Sequence, residues 1–176
     1  MKRHPALYIA QGAVIAALYA TLTILQNVLL PGSASMAVQF RIAEALTVFA
    51  VFTPVAIPGL TIGCMIANLS SLPSLGAYDL IFGTLASLIA AVLMYALRKI
   101  RWFRLPVLSA LMPALVNGII VGLEIEIFFV PGDFHFGNFL IQGGLVALGE
   151  LAVLMVLGLP LAWVIENRGI NKKLLK

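Results

Sequence analysis

Arg41 and Glu44 stand three residues apart in Gln39-Phe40-Arg41-Ile42-Ala43-Glu44, at the head of an otherwise apolar run. On a helix that spacing puts both side chains on one face. A guanidinium offers only donors and a carboxylate only acceptors. The two therefore either pair with each other, locking their helix to a neighbour, or open a polar patch that Gln39 and Phe40 extend and that a solute can read. Glu150 lies deep in another apolar run and has no basic neighbour there. A carboxylate so placed needs a partner, a proton or a ligand, and Arg41 is one candidate partner. Asn117 and Glu124 are seven residues apart and share a helical face. Glu126, two residues beyond Glu124, points elsewhere and is expected to be solvated near the end of its run. Gln142, two turns before Glu150, can line the same cavity, whereas Asn68 is equally well read as a helix-packing hydrogen bond. These groups suit the binding of a polar solute. An acid–base pair of Glu150 and Glu124 in a membrane enzyme is the weaker reading, because no nucleophile with its base and no metal set accompanies them. Cys64 is alone and His135 is a lone loop histidine, so neither a disulfide nor a metal site nor any cofactor is expected.

The elements that must position these groups follow from composition. Of the 176 residues, 62% are hydrophobic and only 10% charged. A soluble domain of this size cannot bury so much apolar surface. Apolar runs of about 20 residues, the length that spans a bilayer core, recur along the chain. They are apolar all round, which excludes the alternating strands of a membrane barrel. The fold is expected to be all-α and embedded in the lipid bilayer, as a single transmembrane domain over 1–176. The first run is too long for the apolar segment of a signal peptide and has no clear cleavage site.

Six spans are expected: Tyr8 to Leu30, Arg41 to Pro54, Ile57 to Pro73, Asp79 to Leu97, Pro106 to Val130 and Asn138 to Ile165. The second and third share roughly thirty residues, too many for one helix across about 30 Å and few for two. Pro54 and Pro58-Gly59 break the helix between them. The pair is read as two short helices or as a hairpin that does not cross fully. Charge tests the count. Lys2 and Arg3, then Arg98, Lys99, Arg101 and Arg104, then Arg168, Lys172, Lys173 and Lys176 fall on one side of a six-span chain. The positive-inside rule makes that side the cytoplasm and puts both termini there. Ten of the eleven basic residues comply, and Arg41 is the exception. The opposite loops, near residues 31–40, 73–79 and 131–138, carry Asp79 and Asp133 but no Lys or Arg. The net charge of +4 therefore reflects topology and does not imply nucleic acid. No internal repeat and no phosphate-binding loop of the form G-x-x-x-x-G-K-[ST] is present, which disfavours a self-powered carrier.

Phe40, Tyr78, Phe128, Phe129, Phe134, Phe136 and Phe139 gather at the side opposite the basic residues. Most read as an interfacial belt, but the set is rich in Phe, and one or two can stack on a flat ligand or cover it. Small residues recur four apart at Ala13 and Ala17, Ala16 and Ala20, Gly59 and Gly63, and Gly118 and Gly122. Such spacings let helices approach closely. For the glycines, packing within the chain is expected.

The stretch Val38-Gln39-Phe40-Arg41-Ile42-Ala43-Glu44-Ala45-Leu46-Thr47-Val48, followed by Phe52-Thr53-Pro54-Val55-Ala56-Ile57-Pro58-Gly59 and Gly63-Cys64, resembles the queuosine-precursor transporter family known as QueT. The likeness continues at Asp79-Leu80-Ile81-Phe82-Gly83-Thr84-Leu85-Ala86, at Pro113-Ala114-Leu115-Val116-Asn117-Gly118 and at Gly149-Glu150, and covers nearly the whole chain. The resemblance implies a six-helix substrate-binding S component of an energy-coupling factor (ECF) transporter in the plasma membrane. Such a protein captures a micronutrient and works with a membrane coupling subunit, EcfT, and two cytoplasmic ATPases. It implies that Ala13 and Ala17, or the shifted pair Ala16 and Ala20, dock on the coupling subunit. It implies a deazaguanine cargo: queuine, or its aminomethyl or cyano precursor. On that reading Glu150 takes the donor edge of the ring, while Asn117 and Arg41 serve its carbonyl. Glu44 holds Arg41 or meets the amine, and Phe40 or Tyr78 stacks on the ring. The alternatives are an S component for a different vitamin and a stand-alone carrier of small solutes.

Overall fold

The computed structural model describes residues 5–33, 38–102 and 105–170, and among these the regular structure is helical. Helix α1 spans Pro5–Leu29. A 3-10 helix, Ile42–Val48, continues as the one-turn α2, Phe49–Phe52. Then come α3, Ala56–Leu69, and α4, Leu72–Leu97. The one-turn α5, Val107–Ala110, leads into α6, Met112–Phe128. Helix α7, Phe136–Val153, passes through a π segment, Leu154–Gly158, into α8, Leu159–Asn167. Among the described residues, four stretches are long and apolar enough to cross a membrane: Pro5–Leu29, Gly76–Leu97, Val107–Phe128 and Phe136–Asn167. The expected second and third spans are the two shorter apolar helices, Ile42–Phe52 and Ala56–Leu69.

Close contacts fix how these two lie. Tyr19 meets Glu44, Gln26 meets Phe40 and Ile42, and Gly12 meets Val55, so the 3-10 and α2 segment runs antiparallel to α1. A Cβ added at Gly59 would lie 2.9 Å from the Gly12 carbonyl oxygen, and one at Gly63 2.8 Å from that of Ala16. Helix α3 therefore returns parallel to α1. The turn at Thr53–Val55 sits level with Gly12, seven residues or about 10 Å inside the start of α1. The two segments form a hairpin shorter than the long helices around it. Pro54 and Pro58 lack the N–H groups that would carry a helix through the turn.

Helix α4 starts with one turn, breaks at Gly76 (φ 68°, ψ −165°), and only then enters its long stretch. A side chain is strained at that φ, so glycine is required there. The break places Asp79 inside the long helix. Helices α6 and α7 pack antiparallel through glycine: a Cβ at Gly122 would meet Gly143 Cα at 2.6 Å, and one at Gly118 the Gly143 carbonyl oxygen at 2.9 Å. Both G-x-x-x-G spacings thus serve packing within the chain. Pro160 lacks an N–H, and the bonding pattern of the last span widens to a π turn just before it. That interruption is absent from a reading of Asn138 to Ile165 as one unbroken helix.

The start of α1 and the ends of α4 and α8 lie at one end of the bundle, where Arg101 and Glu166 form an ion pair. Arg98, Lys99, Arg101 and Arg168 belong to that end. Lys2, Arg3, Arg104, Lys172, Lys173 and Lys176 lie outside the described residues, as do both termini.

Candidate functional site

At the opposite end, polar side chains from α1, the 39–47 segment, α3, α4, α6 and α7 are buried together. Gln39, Arg41, Glu44, Asn68, Asp79, Asn117, Glu124 and Glu150 are each at most 4% exposed. Arg41 lies within electrostatic reach of Glu44 and Asp79, Glu124 within reach of Asp79 and Arg41, and Glu150 within reach of Glu44 and Arg41. One guanidinium thus sits among four carboxyl groups. Four of the sequence-expected residues with charge, Arg41, Glu44, Glu124 and Glu150, are brought together here.

The local backbone explains the placement. Arg41 precedes the 3-10 helix with an extended conformation (φ −75°, ψ 98°), so it does not share a helical face with Glu44. The ion pair found for Arg41 is with Asp79, Nη2 to Oδ1 at 3.4 Å, and not with Glu44, the pairing that was one of the two alternatives open from sequence. Glu44 instead accepts a hydrogen bond from the Tyr19 hydroxyl of α1. Gly149 lets the backbone of Gln39 lie against α7, since a Cβ there would come within 2.5 Å of the Gln39 carbonyl oxygen. The next residue, Glu150, receives Asn117 Nδ2 at 2.6 and 2.8 Å on its two oxygens. The partner of Glu150 is therefore Asn117 rather than Arg41. Because the Asn117 nitrogen is engaged, the atom it leaves without a partner is Oδ1, an acceptor.

Asp79 corrects the sequence reading, which counted it in the outer loop at the start of the fourth span. The Gly76 break turns it into the bundle, and it is 4% exposed. Glu126 is likewise not solvated. It is 2% exposed and accepts the His135 backbone N–H at 3.0 Å, because the chain folds back over the end of α6. Helix α6 is the most enclosed of the long helices, so both Glu124 and Glu126 are covered although they point in different directions. Asn68 makes packing bonds: Nδ2 donates to the Asp79 carbonyl at 2.9 Å and approaches Cys64 Sγ at 3.5 Å. Gly83 keeps the space clear for both Asn68 and the Asp79 carboxylate.

The rim is aromatic. Tyr78 is 46% exposed and stacks on Phe128 with centroids 4.0 Å apart, and Phe82 leans on the same ring. Phe40 is 47% exposed, and Gln142 is half-buried on the face of α7 that carries Val146 and Glu150. Tyr19, Gln26 and Asp79 are site residues that the sequence reading passed over. Tyr19, Thr23 and Gln26 form a buried polar stripe at helical spacing along an apolar helix, and that period was the available signal.

The four alanines differ in burial, although Ala16 also borders the groove that Ala13 and Ala17 line. Ala16 and Ala20 are buried at 6% and 5%, with Ala16 packed against Gly63. Ala13 and Ala17 are exposed. They line an apolar groove of about 470 Å³ between α1 and α3, together with Tyr8, Gly12, Ile62 and Ile66.

Five buried acceptor atoms of the cluster have no donor: Gln39 Oε1, Glu44 Oε2, Asp79 Oδ2, Asn117 Oδ1 and Glu124 Oε2. An unmade hydrogen bond at a buried acceptor is costly, and in lipid no water relieves it. Such an arrangement can accept several N–H donors at once. A helical membrane protein with such an enclosed, acceptor-rich centre belongs to the solute-handling class. The sequence profile of the QueT transporter family matches residues 9–167, and the chain belongs to that family. It is a family of transporters and not of enzymes. No curated protein and no solved structure matches the chain.

Proposed function

We propose that the chain is the substrate-binding S component of an ECF-type transporter of the plasma membrane, and that its solute is a deazaguanine, namely queuine or its aminomethyl or cyano precursor. Family membership supports transport of queuosine precursors. The observation that carries the ligand class is the set of five buried acceptors without donors around a single guanidinium. A deazaguanine presents ring N–H groups and an exocyclic amine, with one carbonyl acceptor between them. Glu150 and the Asn117 carbonyl are suited to the donor edge, and Arg41 to the ring carbonyl. Glu44 and Glu124 retain oxygens for a pendant ammonium. Gln39 and Gln142 extend the polar wall. Phe40 and Tyr78 supply flat apolar surface at the rim.

The remaining roles follow from the two ends of the bundle. The end with Arg98, Lys99, Arg101 and Arg168 faces the cytoplasm by the positive-inside rule. The polar cluster then opens to the outside. The groove at Ala13 and Ala17 is the docking face for EcfT, whose two ATPases supply the energy. Direct titration of the purified protein against queuine, its two precursors, riboflavin, biotin and folate tests the reading. Tight binding to deazaguanines alone is expected. Tight binding to one of the vitamins, with none to any deazaguanine, would sink the substrate claim. Uptake into liposomes without the ATPases would make the chain a stand-alone carrier.

A further inference from the structure

We infer that Gln26 is a positioning residue for the ligand site, because its side-chain amide clamps the backbone on both sides of Arg41. Gln26 is 5% exposed, near the end of α1. Its Nε2 donates to the carbonyl of Phe40 and to Ser33 Oγ, the latter at 2.9 Å. Its Oε1 accepts the N–H of Ile42 at 2.9 Å. Phe40 and Ile42 are the residues immediately before and after Arg41. One donor and the acceptor of the amide are thereby used on residues 40–42, and the other donor on Ser33.

The segment needs such a hold. Arg41 is extended, outside the helix that follows, and the helical bonding that reaches it begins with Glu44 N–H to the Arg41 carbonyl at 3.0 Å. The peptide planes on either side of Arg41 are fixed through Gln26. Turning either one swings the guanidinium away from Asp79 and from the acceptors around it. A neighbouring bond on the same helix works alike: the Tyr19 hydroxyl holds Glu44. Helix α1 therefore sets the positions of two charged groups of the site without contributing a charge. The inference rests on the reading of this cluster as the ligand site.

The test uses the full chain in lipid nanodiscs with 7-aminomethyl-7-deazaguanine as the probe. Gln26→Leu should weaken binding about tenfold or more, the scale of two or three lost hydrogen bonds. That loss should disappear when Gln26→Leu is added to Arg41→Ala, because the clamp acts through Arg41. Equal losses with and without Arg41 would show a general structural role and overturn the inference, as would unchanged binding. Gln26→Asn keeps the amide but withdraws it by one methylene. It should act in the same direction and serves where the leucine variant does not fold. Hydrogen exchange at the Ile42 amide, read without any ligand, should quicken in either variant, and unchanged exchange in both overturns the clamp. If the wild-type chain binds no deazaguanine, the functional reading fails by itself and the exchange arm alone decides the clamp.

Discussion

The two halves of α1 meet their neighbours by different physics. From Gly12 to Ala17 the contact is one of shape: Gly12 and Ala16 let α3 approach through Gly59 and Gly63, while Ala13 and Ala17 face an open apolar groove. From Tyr19 to Gln26 the contact is one of hydrogen bonding, to Glu44 and to the backbone around Arg41. An apolar, small-residue face can be met by another apolar helix without leaving polar groups unmade. The polar half cannot shift against residues 40–44 without breaking several buried bonds. One helix thus joins an open apolar groove to the buried polar cluster.

This division predicts separable effects. Ala13→Leu or Ala17→Leu should abolish uptake by the assembled transporter while leaving deazaguanine affinity unchanged, since the added bulk fills only the groove. Persistent uptake in both variants places docking elsewhere, and a change in affinity breaks the division itself. In the polar half, Asp79→Ala should cost about 3 kcal/mol of stability, because it removes one side of a buried ion pair. Thermal unfolding of the purified protein, compared with a double variant that also replaces Arg41 by Met, checks this. The double variant should be the more stable of the two. Glu150→Gln is expected to lower affinity by about 1.5–3 kcal/mol, the range of a charge-assisted hydrogen bond. The fold should survive, because a glutamine oxygen can still accept from Asn117. Unchanged affinity would remove Glu150 as the anchor of the donor edge.

The legible parts of the sequence were those set by local composition. The positions of the four long apolar helices, the break near Pro54 and the inward use of the paired glycines all follow from residues close in the chain. The choice between two short helices and an incomplete hairpin was not legible, because it depends on Val55 stopping level with Gly12, a contact between separate helices. Arg41, Glu44, Glu124 and Glu150 stood out because a charge in an apolar run has few innocent explanations. Asp79 did not, because its position at the edge of a loop gave no sign that Gly76 turns the chain inward. Gln26 and Tyr19 carry no charge, and their meaning lies in partners 14 to 25 residues away. Partner identity requires the register between helices, which periodicity alone does not give.

Asn68 provides the smallest and sharpest test of the boundary between scaffold and site. Its side chain is 2% exposed and lies within the polar cluster, so burial and position alone would admit it as a ligand contact. Its bonds say otherwise: it donates to the main-chain carbonyl of Asp79 and approaches Cys64, while Cys64 Sγ reaches the Gly83 carbonyl at 3.6 Å. These contacts tie α3 to α4 just beyond the Gly76 break. Asn68→Ala should therefore cost about 1 kcal/mol of stability, the usual worth of an interhelical hydrogen bond in a membrane protein. Deazaguanine affinity should change by less than about threefold, because the Asp79 carboxylate keeps its Arg41 partner and a threefold change is only about half of a tenfold step in free energy. A large loss of affinity with unchanged stability would move Asn68 from the scaffold into the site, and α3 would then contribute to recognition as well as to packing.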